Sequence, residues 1–370
     1  MMQFCLKEYT YKYRLYLNNE QKIQLNKTFG CCRFVYNNYL YESKNNEYTS
    51  KTKNNNHCNR VLKEINPFLR DVDKFALTNS IYNLDNAYKR FYNKLGREPK
   101  YKKRRSKQSY QTNYTNNNIE VFYDENLVKL PKLGKVKAKI HRKLEGQIVN
   151  ATITKYPSGK YYVCILVKRE IEAKEIALSV IGLDMGIKSF ISDNKGNKYE
   201  PNKSLVNLEY KLTKEQQRLS NKVKGSNNYN KQRIKLARVH EKIENIRNNY
   251  LHQLSTSIIN ENQVIVVEDL DVASMLEVSN TNTSKKLSDV SISKFISMLE
   301  YKAKMYSKVF YKVNRYYASS QICNECGYRN KELKDLSIRE YICPKCNTPH
   351  DRDINAAKNI LTFGLDKIFI

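Results

Sequence analysis

Four cysteines in the last fifty residues have the spacing of a metal site. They form the pattern Cys323-x2-Cys326-x16-Cys343-x2-Cys346. Each pair presents two thiolates to one ion, and two pairs complete the tetrahedron that Zn²⁺ adopts in structural sites. Because no coordination position stays open, we expect a structural zinc whose binding energy orders a short knuckle. The alternative, two unrelated pairs or a redox motif, is disfavoured because redox motifs do not usually come in spaced pairs.

Three acidic residues suggest a second, different metal site. Asp184 and Glu268 each follow a short apolar run that reads as a strand, and Asp353 opens the predicted final helix. Two divalent cations about 4 Å apart, held by acidic side chains, activate water and stabilise the leaving oxygen in phosphodiester hydrolysis. Mg²⁺ prefers such oxygen ligands. Any one of these acids alone is more simply a strand-end carboxylate or a helix cap, but the three together predict a Mg²⁺-dependent catalytic site.

Neighbouring acids leave two of these assignments open. Asp269 and Asp271 follow Glu268, and Asp351 precedes Asp353. The period of a strand places Asp269 on the face opposite Glu268. Asp351 could be the N-cap of the final helix, with Asp353 an early acid interacting with the helix dipole. Spacing alone does not choose between them.

His350 and Arg352 stand among these acids and could contact phosphate. Loop residues next to a zinc knuckle are as readily solvated, so neither is assigned a catalytic role.

A basic segment combines cations with tyrosines. Residues 97–107 carry seven Lys or Arg against one Glu. Charge along a backbone, mixed with rings that stack on bases, is typical of contacts with single-stranded or structured RNA. We therefore expect nucleic acid to contact this segment, although a solvated loop is the alternative. The expected contacts are Lys100, Tyr101, Lys102, Lys103, Arg104, Arg105 and Lys107, with Tyr110 and Tyr114 as further interleaved rings.

The overall charge points to the same class of partner. The 370 residues include 66 Lys+Arg and 37 Asp+Glu, a net charge of +29. Neutralising phosphates releases counterions, so a polyanion is the partner that suits this excess. No apolar run approaches the ~18 residues of a membrane span. Lys7, Glu8 and Lys12 interrupt any signal-peptide core, so we expect a soluble protein of a reducing cytosol.

The first half of the chain is predicted to contain a strand, a helical section and a small sheet. Residues 9–16 alternate as a half-buried strand, and Asn18 with Gln21 resembles a capping box. Gly30 is expected to separate two helices, residues 44–57 to be a polar loop, and Leu77 to Leu95 to lie on an amphipathic helix. Residues 119–170 read as short strands of an antiparallel sheet or barrel, which the opening strand is expected to join.

The second half is predicted to alternate strands and helices. Three antiparallel strands begin near residue 177, and a basic helical hairpin with a turn at Gly225–Asn228 follows. Its residues 211–247 carry 11 Lys+Arg and 3 Glu, which is weak evidence of a second nucleic-acid contact. Val264–Val267 and residues 309–313 indicate buried strands, and the last helix is expected to begin near Asp353.

Together these motifs resemble one family. IGLDMGIKSF, VVEDL, SSQICNECGY, YICPKC and HDRDINAAKNIL, in this order, are similar to the TnpB (OrfB) proteins of bacterial insertion sequences. The similarity extends over nearly the whole chain. Two departures, Leu17 and Ala318 where the family often has proline, do not touch the chemistry.

The resemblance implies an RNA-guided DNA endonuclease related to type V CRISPR effectors, which binds a structured guide RNA from its transposon end. Its RuvC-like metal site would be Asp184, Glu268 and Asp353, and its zinc knuckle the four cysteines. We expect a monomer with one RNA that acts on double-stranded DNA beside a short flanking motif. The alternatives are a nuclease-inactive RNA-guided repressor, which the intact acids disfavour, and a protein-only transposase or recombinase, whose acids are usually ordered Asp, Asp, Glu.

The predicted fold is a multidomain α+β and α/β protein. An RNase H-like nuclease domain is expected at 177–317 and 348–370, with a zinc ribbon inserted at 318–347. A β-barrel at 1–17 and 110–176 would be interrupted by a helical domain at 18–109.

Overall fold

A computed structural model describes residues 4–45, 49–186, 189–200, 206–270, 283–335 and 337–369. Contacts divide the chain into two compact units. One is Leu6–Glu170, and the other is Ile171–Ile370 together with the first five residues. Each unit has its own hydrophobic core.

The first unit combines a helical section with a seven-stranded sheet. Its helices are α1 (Asn19–Asn45), α2 (Lys51–His57), α3 (Lys63–Ile65) and α4 (Lys74–Tyr92), with a π-helical turn at Cys58–Leu62 and a 3-10 turn at Pro67–Asp71. The strands are β1 (Phe4–Tyr16), β2 (Gln108–Asn113), β3 (Glu120–Phe122), β4 (Leu127–Leu130), β5 (Gly134–Lys139), β6 (Gln147–Lys155) and β7 (Tyr161–Glu172).

The opening strand joins the sheet of the later strands. The strand order is β2-β6-β7-β1-β5-β4-β3, and β1 pairs antiparallel with β5 through Arg14 and Lys139. Tyr11, Tyr13 and Leu15 are buried on one face of β1, as the alternation predicted. The described pairing ends at β2 and β3, so closure into a barrel stays a prediction.

Two helical predictions in this unit were wrong. Gly30 does not end a helix, because α1 runs without interruption from Asn19 to Asn45. Buried Leu25, Phe29, Val35 and Tyr39 hold both halves of α1 against the core, so packing outweighs the weak helix propensity of glycine. The segment predicted as a polar loop at 44–57 includes α2, whose N-cap Ser50 accepts a hydrogen bond from the N–H of Lys53.

The capping box at the start of α1 is confirmed. The side chain of Asn18 accepts from the N–H of Gln21 at 2.8 Å, and Gln21 accepts from the N–H of Asn18 at 3.1 Å. The amphipathic helix before Gly96 is α4, which begins at the N-cap Asp73.

The second unit is built on a five-stranded sheet of order β10-β9-β8-β11-β12. Its strands are β8 (Val180–Asp184), β9 (Ile191–Asp193), β10 (Lys198–Tyr199), β11 (Val264–Glu268) and β12 (Val309–Val313). Strands β8, β11 and β12 are parallel, while β9 and β10 continue from β8 as antiparallel strands. The three antiparallel strands and both later strands were predicted from sequence.

The helices of this unit are α5 (Val206–Ser220), α6 (Asn227–Glu261), α7 (Thr283–Met305) and α8 (Arg352–Ile368). Helices α5 and α6 form the predicted hairpin, with Leu212, Val239 and Ile243 in its own small core. The C-terminal part of α6 packs on the sheet, since Leu251, Ile258 and Ile259 share a core with β8 and β11. A hairpin of β13 (Glu340–Ile342) and β14 (Pro349–Asp351) lies just before α8.

Candidate functional site

Strand register brings Asp184 and Glu268 together. The parallel pair β8–β11 aligns Val264 with Val180 and Val267 with Leu183. The next step of the same register aligns Glu268 with Asp184, each at the carboxyl end of its strand. Both runs before them are buried, so only these terminal carboxylates emerge at the edge of the sheet.

Two glycines allow α8 to carry Asp353 to the same edge. A Cβ on Gly182 in β8 would lie 2.4 Å from the carbonyl oxygen of Ala357, and a Cβ on Gly364 would lie 2.4 Å from a methyl of Val266. Any larger residue at either position would push the helix off the sheet. The close approach fixes the first turn of α8, which contains Asp353, beside β8.

The charges of Glu268 and Asp353 both act on the buried carboxyl of Asp184. Burial, followed by the negative charges of Glu268 and Asp353, raises the pKa of Asp184 to about 8. Burial, followed by the charge of Asp269, raises the pKa of Glu268 to about 7. Such shifts arise where acids share a desolvated site without enough positive charge. The positive charge of Arg352 offsets the rise in the pKa of Asp184 only in part, so the edge keeps an excess of negative charge that a divalent cation would neutralise.

Asp351 and Asp353 have different surroundings. Asp351 is the N-cap of α8, and its Oδ1 accepts from the N–H groups of Asp353 and Ile354 at 3.1 Å each. Its Oδ2 pairs with Lys198 Nζ at 2.5 Å. Burial alone would raise the pKa of Asp351, but Lys198 and the helix N–H groups lower it. Asp269 is likewise paired with a cation, since its Oδ2 lies 3.2 Å from Arg315 Nη2. Asp271 lies outside the described residues.

The four cysteines converge. One ligand atom from each lies within 4.8 Å of the others, and within the described residues this is the tightest convergence of three or more possible ligands. Cys323 and Cys346 sulfurs are 3.7 Å apart, and those of Cys326 and Cys343 are 3.6 Å apart. Four thiols at this spacing can hold a zinc ion. Among the described residues, the three carboxylates do not converge this closely.

The loops of the knuckle arrange the sulfurs through backbone hydrogen bonds. The N–H of Gly327 donates to Cys323 O, and the N–H of Asn347 donates to Cys343 O, each at 2.9 Å. Both Gly327 and Asn347 have positive φ, which closes each turn around its cysteine pair. Hydrogen bonds from the hydroxyl and N–H of Thr348 lower the pKa of Cys346 to about 6, favouring a thiolate.

His350 and Arg352 are both buried, and the charge of Arg352 partly offsets the rise in the pKa of Asp184. His350 is buried, with its Nε2 3.1 Å from Cys323 Sγ, where it supports the cysteine cluster. Arg352 is also buried and donates to the carbonyl of Asp335 at 2.7 Å. Both therefore hold the knuckle to the start of α8.

The structure adds one cation to the site that the sequence did not indicate. Arg339 comes from the knuckle segment, and its Nη1 is 3.3 Å from Asp353 Oδ1. Nothing in the local pattern around Arg339 distinguishes it from the other basic residues. Only the fold brings it to the acid.

The basic segment divides into exposed and packed residues. Lys100, Lys103, Arg104, Arg105 and Lys107 are exposed, and Tyr101 is 44% exposed. The Lys102 ammonium instead lies over the ring of Tyr36 at 3.8 Å, and burial lowers the pKa of Lys102.

Two tyrosines near this segment also differ. Tyr110 is only 5% exposed and packs edge-to-face on Phe29, so this ring belongs to the core and is not free to stack on a base. Tyr114 is half-buried, and its hydroxyl donates to Asn117 at 2.6 Å.

Of the other cysteines, Cys31, Cys32 and Cys58 are buried and Cys164 is half-buried, in keeping with their expected role as apolar side chains. The side chain of Cys5 lies outside the described residues. Among the helices that the structure describes, none is long and apolar enough to cross a membrane.

Three family models match successive parts of the chain. The model OrfB_IS605, described as "Probable transposase", matches residues 162–279. The TNB domain model of Cas12f1-like proteins matches residues 293–360, and the helix-turn-helix model HTH_OrfB_IS605 matches residues 2–52.

Curated relatives match nearly end to end. A Streptomyces pristinaespiralis protein named "Putative RNA-guided DNA endonuclease" is 32% identical over 96% of this chain and 89% of its own length. The Escherichia coli (strain K12) protein InsQ, with the same description, is 28% identical over 96% of this chain and 92% of its own. The TnpB-like protein L79 of Acanthamoeba polyphaga mimivirus is 29% identical over 50% of this chain and 37% of its own.

Two solved structures share the fold. The Cas12f1 chain in a complex with sgRNA and target DNA has a TM-score of 0.59 at 13% identity, covering 96% of this chain and 98% of its own. The mini-RNA-guided endonuclease Cas_phi3 has a TM-score of 0.51 at 9% identity, covering 97% of this chain and 92% of its own. With an end-to-end relative above 30% identity and matching family models along its length, this chain belongs to the TnpB (OrfB) family of insertion-sequence proteins.

Proposed function

We propose that this protein is an RNA-guided DNA endonuclease that hydrolyses phosphodiester bonds of target DNA. The observation that carries the proposal is the group of Asp184, Glu268 and Asp353 at one sheet edge, in a chain similar along its length to relatives named RNA-guided DNA endonucleases. The sheet, with three parallel strands and an antiparallel extension, is the arrangement expected of an RNase H-like (RuvC-like) domain.

The donor set at this edge fits Mg²⁺. Asp184 and Glu268 carry raised pKa values because they are buried and, second, because other negative charges lie nearby. Hard oxygen ligands are those that Mg²⁺ takes. When bound between Asp184, Glu268 and Asp353, Mg²⁺ would supply Lewis-acid activation of water and stabilisation of the leaving oxygen.

The chain itself contributes the positions of the carboxylates and one nearby positive charge. Buried strands β8 and β11 hold Asp184 and Glu268 at fixed register, and α8 holds Asp353 against them. Arg339 places a positive charge next to Asp353 and near the path that a DNA phosphate would take.

The cysteine cluster would hold a structural zinc. Its four sulfurs are close enough for one ion, and Cys346 already favours the thiolate. In this role the zinc ribbon at 318–347 orders the segment that carries Arg339.

The remaining partners and layout are part of the same proposal. One chain would bind one structured guide RNA from the transposon end, with guide pairing reading the target and the protein reading a short flanking motif. A β-barrel formed by 1–17 and 110–176, a helical domain at 18–109 and a nuclease domain at 177–317 and 348–370 would share this work in the bacterial cytoplasm, near the nucleoid.

A guide-programmed cleavage assay tests the function. RNA that copurifies with the chain is sequenced, its variable end is replaced, and the protein is offered DNA matching the new guide. We expect cleavage only at the matched site, its loss in EDTA and its return with Mg²⁺. Copurification of no discrete RNA, or cutting that ignores the guide, would contradict the proposal.

One observation favours a second candidate. The model matching residues 162–279 is described as a transposase, which suggests protein-only strand transfer. Joining of a transposon end to new DNA without any guide would support it.

A further inference from the structure

Close packing does not explain why residue 30 is a glycine. It lies in the middle of α1, where glycine destabilises a helix relative to alanine. A Cβ at this position would meet only the Arg33 guanidinium, at 4.0 Å, which is ordinary contact. The helix is therefore not built around the missing side chain.

The glycine instead forms the floor of a surface notch. The notch has a volume of about 460 Å³ and is lined by Gly30, Arg33, Phe34, Asn37 and Asn38. It offers one aromatic ring and one guanidinium beside an open floor, while the amide of Asn38 donates to Glu42 Oε1 at 2.8 Å. A side chain at residue 30 would occupy part of this space.

The aromatic wall of the notch is held in place. Phe34, 37% exposed, packs edge-to-face on Phe68, whose ring centroid is 5.5 Å away. The turn that carries Phe68 is tied to α1 by an ion pair between Lys27 and Asp71 and by Gln24 Nε2, which donates to Asp71 O at 2.8 Å. Phe34 is therefore a partly exposed ring with little freedom to turn away.

The notch adjoins the basic segment. Asn37 Nδ2 donates to Lys102 O at 2.9 Å, and Asn37 Oδ1 accepts from the N–H of Lys102 at 2.8 Å. These two bonds hold the backbone of the segment against the helix that lines the notch. The exposed cations of Lys103, Arg104 and Arg105 follow directly along the chain.

We propose that this notch binds an unpaired base of the RNA, with the base stacked on Phe34 over Gly30 and the adjoining phosphates on the basic segment. A ring beside a guanidinium suits an unstacked base, which proteins bind by stacking on aromatic rings and Arg guanidinium planes. The neighbouring cations suit its backbone. This inference rests on the proposed function, because that function identifies RNA as the nucleic acid that the notch would bind.

The test uses two substitutions that should each prevent binding of a base, one by removing the ring and one by filling the notch. In Phe34→Ala the stacking wall is removed, and in Gly30→Leu the floor is filled by a good helix former, which should keep or raise the Tm. Binding of a short labelled oligouridine by the full chain is measured against the same length of abasic ribose-phosphate. Ile23→Ala, which removes a 69% exposed apolar residue from the same helix, is the matched control.

We expect both variants to bind oligouridine roughly 5- to 140-fold more weakly than wild type, the range of one lost stacking contact. The dependence on salt and the affinity for the abasic chain should not change. Retained oligouridine affinity in Gly30→Leu would overturn the inference. An equal loss of affinity for the abasic chain would also overturn the inference. So would a loss of affinity seen only with oligothymidine, measured as the DNA counterpart of the probe.

A guided cleavage assay on the wild type distinguishes failure of the notch proposal from failure of the endonuclease proposal. If the wild type cleaves at guided sites while the notch variants bind oligouridine normally, the notch proposal fails and the endonuclease proposal stands. If the wild type neither binds RNA nor cleaves, both fail.

Discussion

The N–H of Asp353 donates to the carboxylate of Asp351, so two acids that are two positions apart in the sequence have different roles in the structure. Asp351 caps α8 and pairs with Lys198, whereas Asp353 lies beside the edge that holds Asp184 and Glu268. We predict that Asp353→Asn abolishes DNA cleavage and leaves the fold intact. Asp351→Asn keeps a good N-cap, loses only a partly exposed ion pair of about 1 kcal/mol or less, and should keep cleavage within about tenfold of wild type. Guided cleavage rates and thermal melts of both variants check this, and the reverse pattern would assign the third ligand to Asp351.

Asp184→Ala and Glu268→Ala should each abolish cleavage while RNA binding stays nearly intact. Each change removes an oxygen ligand from the sheet edge and leaves the exposed cations of residues 97–107 in place. When cleavage rate and RNA affinity are measured on the same variant, the cleavage rate should be lost while the RNA affinity stays close to that of wild type. Retained cleavage in either variant would exclude the proposed metal site, and Asp269→Ala, whose carboxylate pairs with Arg315, is the matched control that should stay active.

Stability without Mg²⁺ should fall as the pH rises from about 4 to 8. The folded-state pKa values of about 8 for Asp184 and about 7 for Glu268 lie above those of the unfolded chain, near 4. In this range the folded state binds more protons than the unfolded state, so raising the pH favours unfolding. The contribution of these two carboxyls to the free energy of unfolding is fully present below about pH 4. It is lost progressively as the pH rises to about 8.

Thermal melts in EDTA at several pH values check this dependence. Each unit of pKa shift that the metal-free protein retains corresponds to about 1.4 kcal/mol, or about 3 to 6 °C in Tm for a domain of this size. Asp184→Asn should flatten the profile, and added Mg²⁺ should raise the Tm more at pH 8 than at pH 5. A wild-type profile as flat as that of Asp184→Asn would contradict the burial of an uncompensated acid.

Removing one thiolate should release zinc and disorder the knuckle. Cys323→Ser or Cys346→Ser leaves three sulfur ligands, and the binding energy of the metal is folding energy for this segment. Metal analysis of protein purified under reducing conditions should find about one zinc per wild-type chain and much less in either variant. Cys164→Ser, outside the cluster, should keep its zinc. A wild-type chain without zinc would refute the assignment.

Supporting residues of the knuckle should have a smaller effect. His350→Gln removes the imidazole next to Cys323 Sγ but leaves all four sulfurs. We expect zinc to remain at stoichiometric concentrations, with affinity lowered about 10- to 100-fold, as is usual when a residue behind a ligand is lost. Competition with a chelator measures the difference.

The exposed cations of the basic segment should set the salt dependence of RNA binding. Replacing Lys103, Arg104 and Arg105 with Ala should lower the magnitude of the slope of log K against log salt by up to about two to three, at about 0.7 to 0.9 per phosphate. Lys102→Ala should leave the slope unchanged and lower stability instead, because its ammonium packs on Tyr36. Tyr101→Ala should weaken binding equally at every salt concentration. An altered slope in Lys102→Ala would show that this residue leaves Tyr36 to reach the RNA.

Local sequence patterns were enough for most elements of the second unit. The alternating and continuous apolar runs predicted β8, β11 and β12, and the three- and four-residue spacing predicted both arms of the α5–α6 hairpin. These patterns work because the same periodicity that defines the element also defines its buried face. The capping box at Asn18 is similarly local, since both of its hydrogen bonds span three residues.

Local patterns failed where distant packing competes with propensity. Gly30 signals a helix end, but α1 continues because residues on both sides of it are held by the same core. Tyr110 and Lys102 have the sequence context of a nucleic-acid contact, yet one ring is buried against Phe29 and one ammonium covers Tyr36. Exposure depends on which surface another element covers, and that element lies many residues away.

The sequence by itself determined the ligand types of both candidate metal sites. Four cysteines in two spaced pairs define a thiolate cluster, and acids at the ends of apolar runs define a carboxylate edge, because residue chemistry and local spacing are written directly in the chain. Only the tertiary structure decided which acids meet. The register of β8 and β11 aligns Asp184 with Glu268, close helix packing at Gly182 and Gly364 brings in Asp353, and the knuckle delivers Arg339. Those contacts join residues up to 175 positions apart, Gly182 and Ala357, and depend on the packing of whole elements, which no local spacing encodes.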